Sequence, residues 1–220
     1  VDVGGIGEWC TNERMSWARR CGAREVAVAD IAPPDSQLWR HFHREVAAHG
    51  ADGIREYAGI DVNDPASLSS IGTFDFVNCT GIIYHCPTPV QAIMNLAAIT
   101  RRYLVVNTVI VPERIENERG VVTFPACSAL FGPALSGEER EILRVHYAAL
   151  RLDVDRFAPP LEEQADAALP FVRAGAATWL PYWWLFTAKA FESLVRLSGM
   201  TVLASGTWRN HTMRFLLEKA

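Results

Sequence analysis

Three acidic residues close three apolar runs in the first third of the chain, each where a strand would hand over to a loop. Val1-Asp2-Val3 runs into Gly4, Gly5 and Gly7. Glu25 to Ala29 leads to Asp30, and Ile54 to Ile60 leads to Asp61. A fourth run, Phe74 to Cys79, ends at Thr80-Gly81 and is followed by Tyr84 and His85. A fifth, Tyr103 to Ile110, carries Asn107 and Thr108 near its end. In an open α/β sheet ligands bind outside the carboxyl ends of the strands, so these residues would share one rim. A rim of carboxylates repels phosphate and favours a ligand bearing a cation, an amine or a ribose. The glycines let backbone approach such a ligand closely. Asp30 stands where an acid binds ribose hydroxyls in nucleotide-binding βαβ units, with a helix N-cap as its alternative. Asp61 equally suits a capped turn. His85 titrates near neutrality and can take a proton from an acceptor O–H or N–H, or simply hold its loop.

The elements that must position these residues alternate strand and helix. Helical spacing covers residues 11–22, 35–49 after Pro33-Pro34, a short piece opened by Asp64-Pro65, and Pro89 to about Arg101. Strands alternating with helices of this length imply parallel βαβ units with right-handed crossovers, hence a doubly wound α/β sheet. From about 112 to 186 the pattern changes. Ser136-Gly137-Glu138-Glu139 reads as a capping box opening a helix to about Leu150, Pro159-Pro160 breaks the chain, and Leu161 to Leu169 suits another helix. Thr178 to Phe186 is rich in aromatics, including Tyr182, Trp183 and Trp184, which either wall a planar ligand or pack as core. An amphipathic helix, Ala188 to Leu197, precedes two strand-like segments, Thr201 to Ala204 and Thr212 to Leu217, joined by a turn containing Gly206 and Asn210. The expected organisation is a single domain: a cofactor-binding half at 1–111, a helical cap insertion at 112–186 for the substrate, and a C-terminal helix and antiparallel hairpin at 187–220.

Composition narrows the classes. The 220 residues are 50% hydrophobic and 21% charged, which excludes an intrinsically disordered chain. The formal net charge of −4 and the lack of a basic stripe weigh against nucleic acid as a partner. Arg19-Arg20 and Arg101-Arg102 read as solvated helix ends. The longest apolar stretch, Ala174 to Phe186, is interrupted by Pro181 and falls short of the ~20 residues that span a bilayer. Five cysteines without CxxC spacing point to free thiols in a reducing, cytoplasmic setting. His41 and His43 lie two apart and cannot share a helix face, so no metal site is expected. The chain opens in mid-strand without an initiator Met, so upstream residues are expected.

These motifs together resemble the class I S-adenosylmethionine-dependent methyltransferases. The resemblance is carried by Val1-Asp2-Val3-Gly4-Gly5-Ile6-Gly7, Val28-Ala29-Asp30, Asp61-Val62, and most specifically the stretch from Phe74 to Pro89 with Tyr84-His85 followed by Pro87-Thr88-Pro89. Trp179 to Met200 is similar to the aromatic-Pro segment, helix and Ser-Gly turn of the same subgroup. The resemblance implies a mostly parallel seven-stranded sheet, S-adenosyl-L-methionine as cofactor and S-adenosyl-L-homocysteine as product. It implies a small-molecule acceptor methylated on O or N, with a homodimer left open. Asp2, Gly4, Gly5 and Gly7 would face the methionine part, Asp30 the ribose hydroxyls and Ile31 the adenine. Asp61 and Val62 would flank the adenine, and Thr80 and Gly81 would line the methionine arm. His85 would be the catalytic base, and Tyr84, Tyr182, Trp183 and Trp184 would meet the acceptor. One departure stands out: the family pattern Asp-x-Gly-x-Gly-x-Gly, spaced strictly from Asp2, meets Ile6 and Glu8 where glycines belong. An NAD-type dehydrogenase, a tRNA methyltransferase and a non-catalytic methyltransferase-like module are the rival readings. For the first, Cys10 occupies the place of the third fingerprint glycine and Asp2 would repel the pyrophosphate.

Overall fold

Strand and helix alternate through the first 109 residues, and the order of the strands follows from that alternation. The computed structural model describes residues 1–6, 14–49, 53–158, 172–173, 176–177, 183–209 and 211–220. The first half runs β1 (Asp2–Val3), α1 (Arg14–Arg20), β2 (Val26–Asp30), α2 (Gln37–Ala48), β3 (Ile54–Ala58), α3 (Pro65–Ser69), β4 (Phe74–Cys79), α4 (Pro89–Ile99) and β5 (Thr100–Val109). Next come the hairpin β6 (Arg114–Asn117) and β7 (Gly120–Thr123), then β8 (Ala129–Phe131), α5 (Gly137–Ala149) and α6 (Val154–Phe157). Short pieces β9 (Val172–Arg173) and β10 (Ala176–Ala177) precede β11 (Trp184–Phe186), α7 (Ala188–Arg196), β12 (Thr201–Trp208) and β13 (Thr212–Glu218).

Seven strands form one sheet in the order β12-β13-β5-β4-β1-β2-β3. β1 to β5 pair in parallel, while β13 runs antiparallel to both β5 and β12. The chain therefore winds outward from β1 to β3, crosses back to β4 and β5, and closes with an antiparallel pair. All five residues of β2 are buried, as expected of a parallel strand covered on both faces. One core packs Val77, Leu104, Val106, Phe215 and Leu217 of the sheet against α4 and α7. On the opposite face Val26 and Val28 pack with Met15 of α1 and with Leu38, Trp39 and Phe42 of α2.

Local chemistry fixes the helix starts. Ser36 caps α2 by accepting from the Trp39 N–H, and Asp64 caps α3 from the Ala66 N–H with Pro65 in the first turn. Ser136 does not form the expected capping box. It precedes α5 in extended conformation and its side chain makes no cap bond. α4 ends at Ile99, so Arg101 and Arg102 lie in β5 rather than at a helix end, Arg101 pairing with Asp75 across the sheet edge at 3.0 Å. β12 extends to Trp208, which places Gly206 inside the strand and not in the turn. Asn210 and the segment Leu161 to Leu169 lie outside the described residues.

The described residues between 112 and 186 form strands as well as the expected helix. They contribute the β6–β7 hairpin and the β8–β11 pair around α5. Their own core joins Val111, Ile115, Val122, Phe124, Ile142, Leu143 and Tyr147 to Val109 at the end of β5. The Tyr147 hydroxyl donates to the Ile110 carbonyl at 2.9 Å, and the Ile110 N–H donates to His211 O at 2.9 Å. α5 and the β12–β13 turn are thus tied to the same residue at the carboxyl end of β5. No helix among the described residues is long and apolar enough to cross a membrane.

Candidate functional site at the carboxyl edge of the sheet

Strand pairing sets the site. Asp2 lies opposite Val28 on one side and Asn78 on the other, and Asn78 lies opposite Val105. Side chains alternate faces along a strand, so Asp2, Asn78, Asp30 and Asn107 share one face near its carboxyl edge. The Asn78 Nδ2 donates to Asp2 Oδ1 at 2.6 Å and lies 3.4 Å from Thr80 Oγ1. Asn107 Oδ1 accepts the Gly81 N–H at 2.6 Å. The two asparagines connect β4 and β5 to the residues expected to hold a ligand.

Asp2 and Asp30 are both buried, at 2% and 5% exposure. Burial is the main cause that raises the Asp30 carboxyl to about 6; the Asp2 charge adds to it, while the N–H groups of Ala32, Ile6 and Ile31 oppose it. Ala32 N–H donates to Asp30 Oδ1 at 2.9 Å. Two glycines after Asp2 sit where a Cβ would clash, Gly4 against Ile82 and Gly5 against Asp2. Gly4 has φ of +76°, and a Cβ there would sit 2.2 Å from Ile82 Cδ1. A Cβ on Gly5 would sit 2.5 Å from Asp2 Oδ2. Ile6, which stands where the family pattern asks for glycine, is 2% exposed and packs in the core under α1 and α2. The loop therefore turns a side chain inward at that position. Gly7 lies outside the described residues.

Asp61 takes up the capped-turn reading. Its Oδ1 accepts from the Asn63 backbone N–H at 2.8 Å and from Asn63 Nδ2 at 2.9 Å, so it builds a turn. The same turn is anchored by Asn95, whose Nδ2 donates to Val62 O at 2.9 Å, and by Thr88, whose hydroxyl meets Asn63 Oδ1 at 3.0 Å. Ile31 is half-buried and Val62 is buried. Thr80 and Gly81 lead into a 3₁₀ turn, Ile83–His85, where His85 is 9% exposed and its ring lies 4.3 Å from that of Tyr84.

The aromatic segment straps across this turn. Trp183 N–H donates to Tyr84 O at 2.8 Å, and Trp183 O accepts from Gly132 N–H at 2.9 Å. The Trp183 ring stacks on Phe131 at 5.9 Å, while its Nε1 is buried and unbonded among the described residues. The Trp184 indole donates to Pro87 O at 3.2 Å and its half-buried ring packs on the main core. Tyr182 lies outside the described residues. No group of three His, Cys, Asp or Glu among the described residues is placed to hold a metal ion. His43 instead pairs with Glu56 at 2.9 Å. Sequence reasoning passed over Asn78, whose partner Asp2 is distant in the chain, and the histidines His146, half-buried, and His211, buried.

The overall fold is shared with solved structures. Magnesium protoporphyrin IX methyltransferase from Synechocystis PCC 6803, crystallised with S-adenosylhomocysteine, matches with a TM-score of 0.54 at 14% identity, over 100% of this chain and 73% of its own. The chain has the class I methyltransferase fold. An O-methyltransferase family protein from Burkholderia thailandensis shares this methyltransferase fold with a TM-score of 0.58 at 12% identity, over 100% of this chain and 50% of its own. An O-methyltransferase family 2 protein from Planctomyces limnophilus, in complex with apigenin, does so with a TM-score of 0.53 at 12% identity, over 100% of this chain and 50% of its own. No family model and no curated protein matches the sequence. Within this fold, Asp2 lies in β1 and Asp30 ends the neighbouring β2.

Proposed function

We propose that the protein transfers a methyl group from S-adenosyl-L-methionine to an oxygen or nitrogen of a small-molecule acceptor. The observation that carries this reading is the buried pair Asp2 and Asp30 on one face of neighbouring strands in a methyltransferase-type sheet. Two carboxylates beside a glycine turn suit a ligand with an ammonium group and a ribose. They oppose the pyrophosphate of a dinucleotide, so the NAD reading is disfavoured. The net charge of −4 likewise favours a small acceptor over tRNA.

The residues fit the cofactor as follows. Asp30 accepts from the ribose hydroxyls, with Ile31 and Val62 on the faces of the adenine and the Asp61 turn at its edge. Asp2, with Gly4, Gly5 and the expected Gly7, faces the methionine part, and Thr80 and Gly81 line its arm. The sulfonium of the bound cofactor supplies a methyl group already activated for in-line displacement. The protein's remaining task is alignment and proton removal. An imidazole nitrogen of His85, at the turn after β4, takes the proton from the acceptor O–H or N–H. Tyr84, Trp183 and Trp184, with Tyr182, border the acceptor, and the 112–186 segment sets its identity and limits water. The stacked Phe131–Trp183 pair favours a planar acceptor.

Calorimetric titration with S-adenosyl-L-methionine and with S-adenosyl-L-homocysteine tests the reading. Micromolar binding of both is expected, with no change in nicotinamide fluorescence on adding NADH. A folded protein that binds neither, or that binds NADH, overturns it.

A further inference from the structure

We propose that Asn78 and Asn107 are positioning residues for the amino-acid end of the cofactor, acting through Asp2 and Gly81 without touching the cofactor themselves. This rests on the reading of the site given above. Asn78 belongs to β4 and Asn107 to β5, the two strands beside β1 on the side away from Asp30. Neither amide serves the sheet ladder. Asn78 reaches across to β1 and donates to Asp2 Oδ1 at 2.6 Å, with Thr80 Oγ1 at 3.4 Å from the same nitrogen. Asn107 Oδ1 accepts the Gly81 N–H at 2.6 Å, which fixes the backbone just beyond β4. Asp2, Thr80 and Gly81 are three of the residues assigned above to the methionine part. Each is therefore held by one of two carboxamides projecting from neighbouring strands.

The choice of a carboxamide has a chemical reason. A buried carboxylate needs donors. A Lys or Arg at position 78 would satisfy Asp2 and also cancel its charge, leaving nothing to attract an α-ammonium. An amide N–H donates without bringing a positive charge, so Asp2 is oriented and keeps its attraction for a cation. The opposite oxygen, Oδ2, lies toward Gly5, where a Cβ would come within 2.5 Å. The carboxylate is thus bounded by Asn78 on one side and by the glycine turn on the other. This arrangement assigns the amino-acid end of the ligand, and not its adenosine, to the Asn78 side of the site.

Two probes separate these ends. S-adenosyl-L-homocysteine carries the α-ammonium, and 5′-methylthioadenosine carries the same adenosine and thioether without it. Calorimetric affinities would be measured for the full chain and for Asn78→Leu, Asn78→Asp and Asn107→Ala. Asn78→Leu is expected to weaken S-adenosyl-L-homocysteine about tenfold or more and to leave 5′-methylthioadenosine within twofold of the parent protein. Asn78→Asp, which keeps the shape but sets a second carboxylate against Asp2, is expected to weaken S-adenosyl-L-homocysteine further. Its deficit relative to the parent protein should narrow as pH falls, because a protonated carboxyl donates again. Asn107→Ala should follow the selectivity of Asn78→Leu with a smaller effect. If Asn78→Leu fails to fold, Asn78→Asp carries the test through its pH dependence. Equal loss of both ligands, or no loss of either, makes Asn78 a structural residue and overturns the proposal. A parent protein that binds neither ligand overturns the methyltransferase reading itself and this inference with it, a result distinct from the other two.

Discussion

Asp2 of β1 and Asp30 at the end of the adjacent parallel β2 have their side chains on one face, and their charges oppose each other there. Burial is the larger influence on Asp30, and together with the Asp2 charge it lifts the Asp30 carboxyl to about 6. Its value in the unfolded chain is 3.8, so the folded state holds the proton more tightly. The resulting stabilisation is complete below the unfolded value and is lost as pH rises through the folded one, by roughly 3 kcal/mol. Thermal unfolding of the ligand-free protein should show this. Asp30→Asn is expected to match the parent near pH 4 and to exceed it in stability at pH 7. Parallel pH profiles for the two proteins would count against a strained carboxylate.

The same residue should behave oppositely toward ligand. Ribose hydroxyls donate best to an ionised carboxylate, so affinity for S-adenosyl-L-homocysteine should decline as pH falls through about 6. Asp30→Ala should bind more than tenfold more weakly at pH 8, with the gap closing at low pH. Unchanged affinity at pH 8 would remove Asp30 from the ribose site.

His85 is expected to affect turnover alone. His85→Ala should lower kcat about a hundredfold or more while the affinity for S-adenosyl-L-homocysteine stays within twofold. An unaltered rate would make His85 a structural member of the 3₁₀ turn.

Gly4 and Gly5 should fail for different reasons when replaced by Ala. At Gly4 the Cβ meets Ile82 and φ is +76°, so Ile82→Ala relieves the clash but leaves about 1–2 kcal/mol of backbone strain. At Gly5 the Cβ meets the Asp2 carboxylate, so Gly5→Ala should weaken cofactor binding more than it lowers the unfolding temperature. Calorimetry beside thermal unfolding of both variants checks the contrast; a Gly5→Ala protein with full affinity would contradict it.

His146, on α5, should sensitise the junction with the β12–β13 turn to acid. Burial and then the nearby His211 hold its imidazole below the ordinary histidine value, and its Nε2 is buried without a hydrogen bond among the described residues. A histidine with a lowered folded value contributes stability above its unfolded value that is lost as pH falls through the folded one. His146→Phe should therefore flatten the decline in stability as pH falls below the ordinary histidine value of about 6.5. An identical decline in the variant would refute this.

Much of the sheet and its acidic edge was legible because both rest on local rules. Apolar runs ending in Asp2 and Asp30, separated by helical spacing, already imply parallel strands whose ends share a rim. Other features were readable and passed over. Arg114-Ile115-Glu116-Asn117 and Gly120-Val121-Val122-Thr123 flank a turn and form a hairpin within a segment expected to be a helical cap. The capping box at Ser136 misled because Gly137 takes a positive φ of 55° and the serine side chain makes no cap bond.

The sequence alone determined the alternation of elements, the winding of the sheet and which side chains stand at strand ends. These depend on periodicity, turn residues and capping within a few positions of each residue. Only the tertiary structure decided that Asn78 holds Asp2, that Ile6 turns into the core, and that Trp183 straps the Tyr84 turn. Each depends on which strand or loop becomes a neighbour, and β1 is flanked by β4 and β2 while β5 is flanked by β4 and β13. A hydrogen bond across so many residues has no local periodicity to announce it. It forms only after the crossovers have set non-consecutive strands side by side and burial has made an unpaired polar group costly.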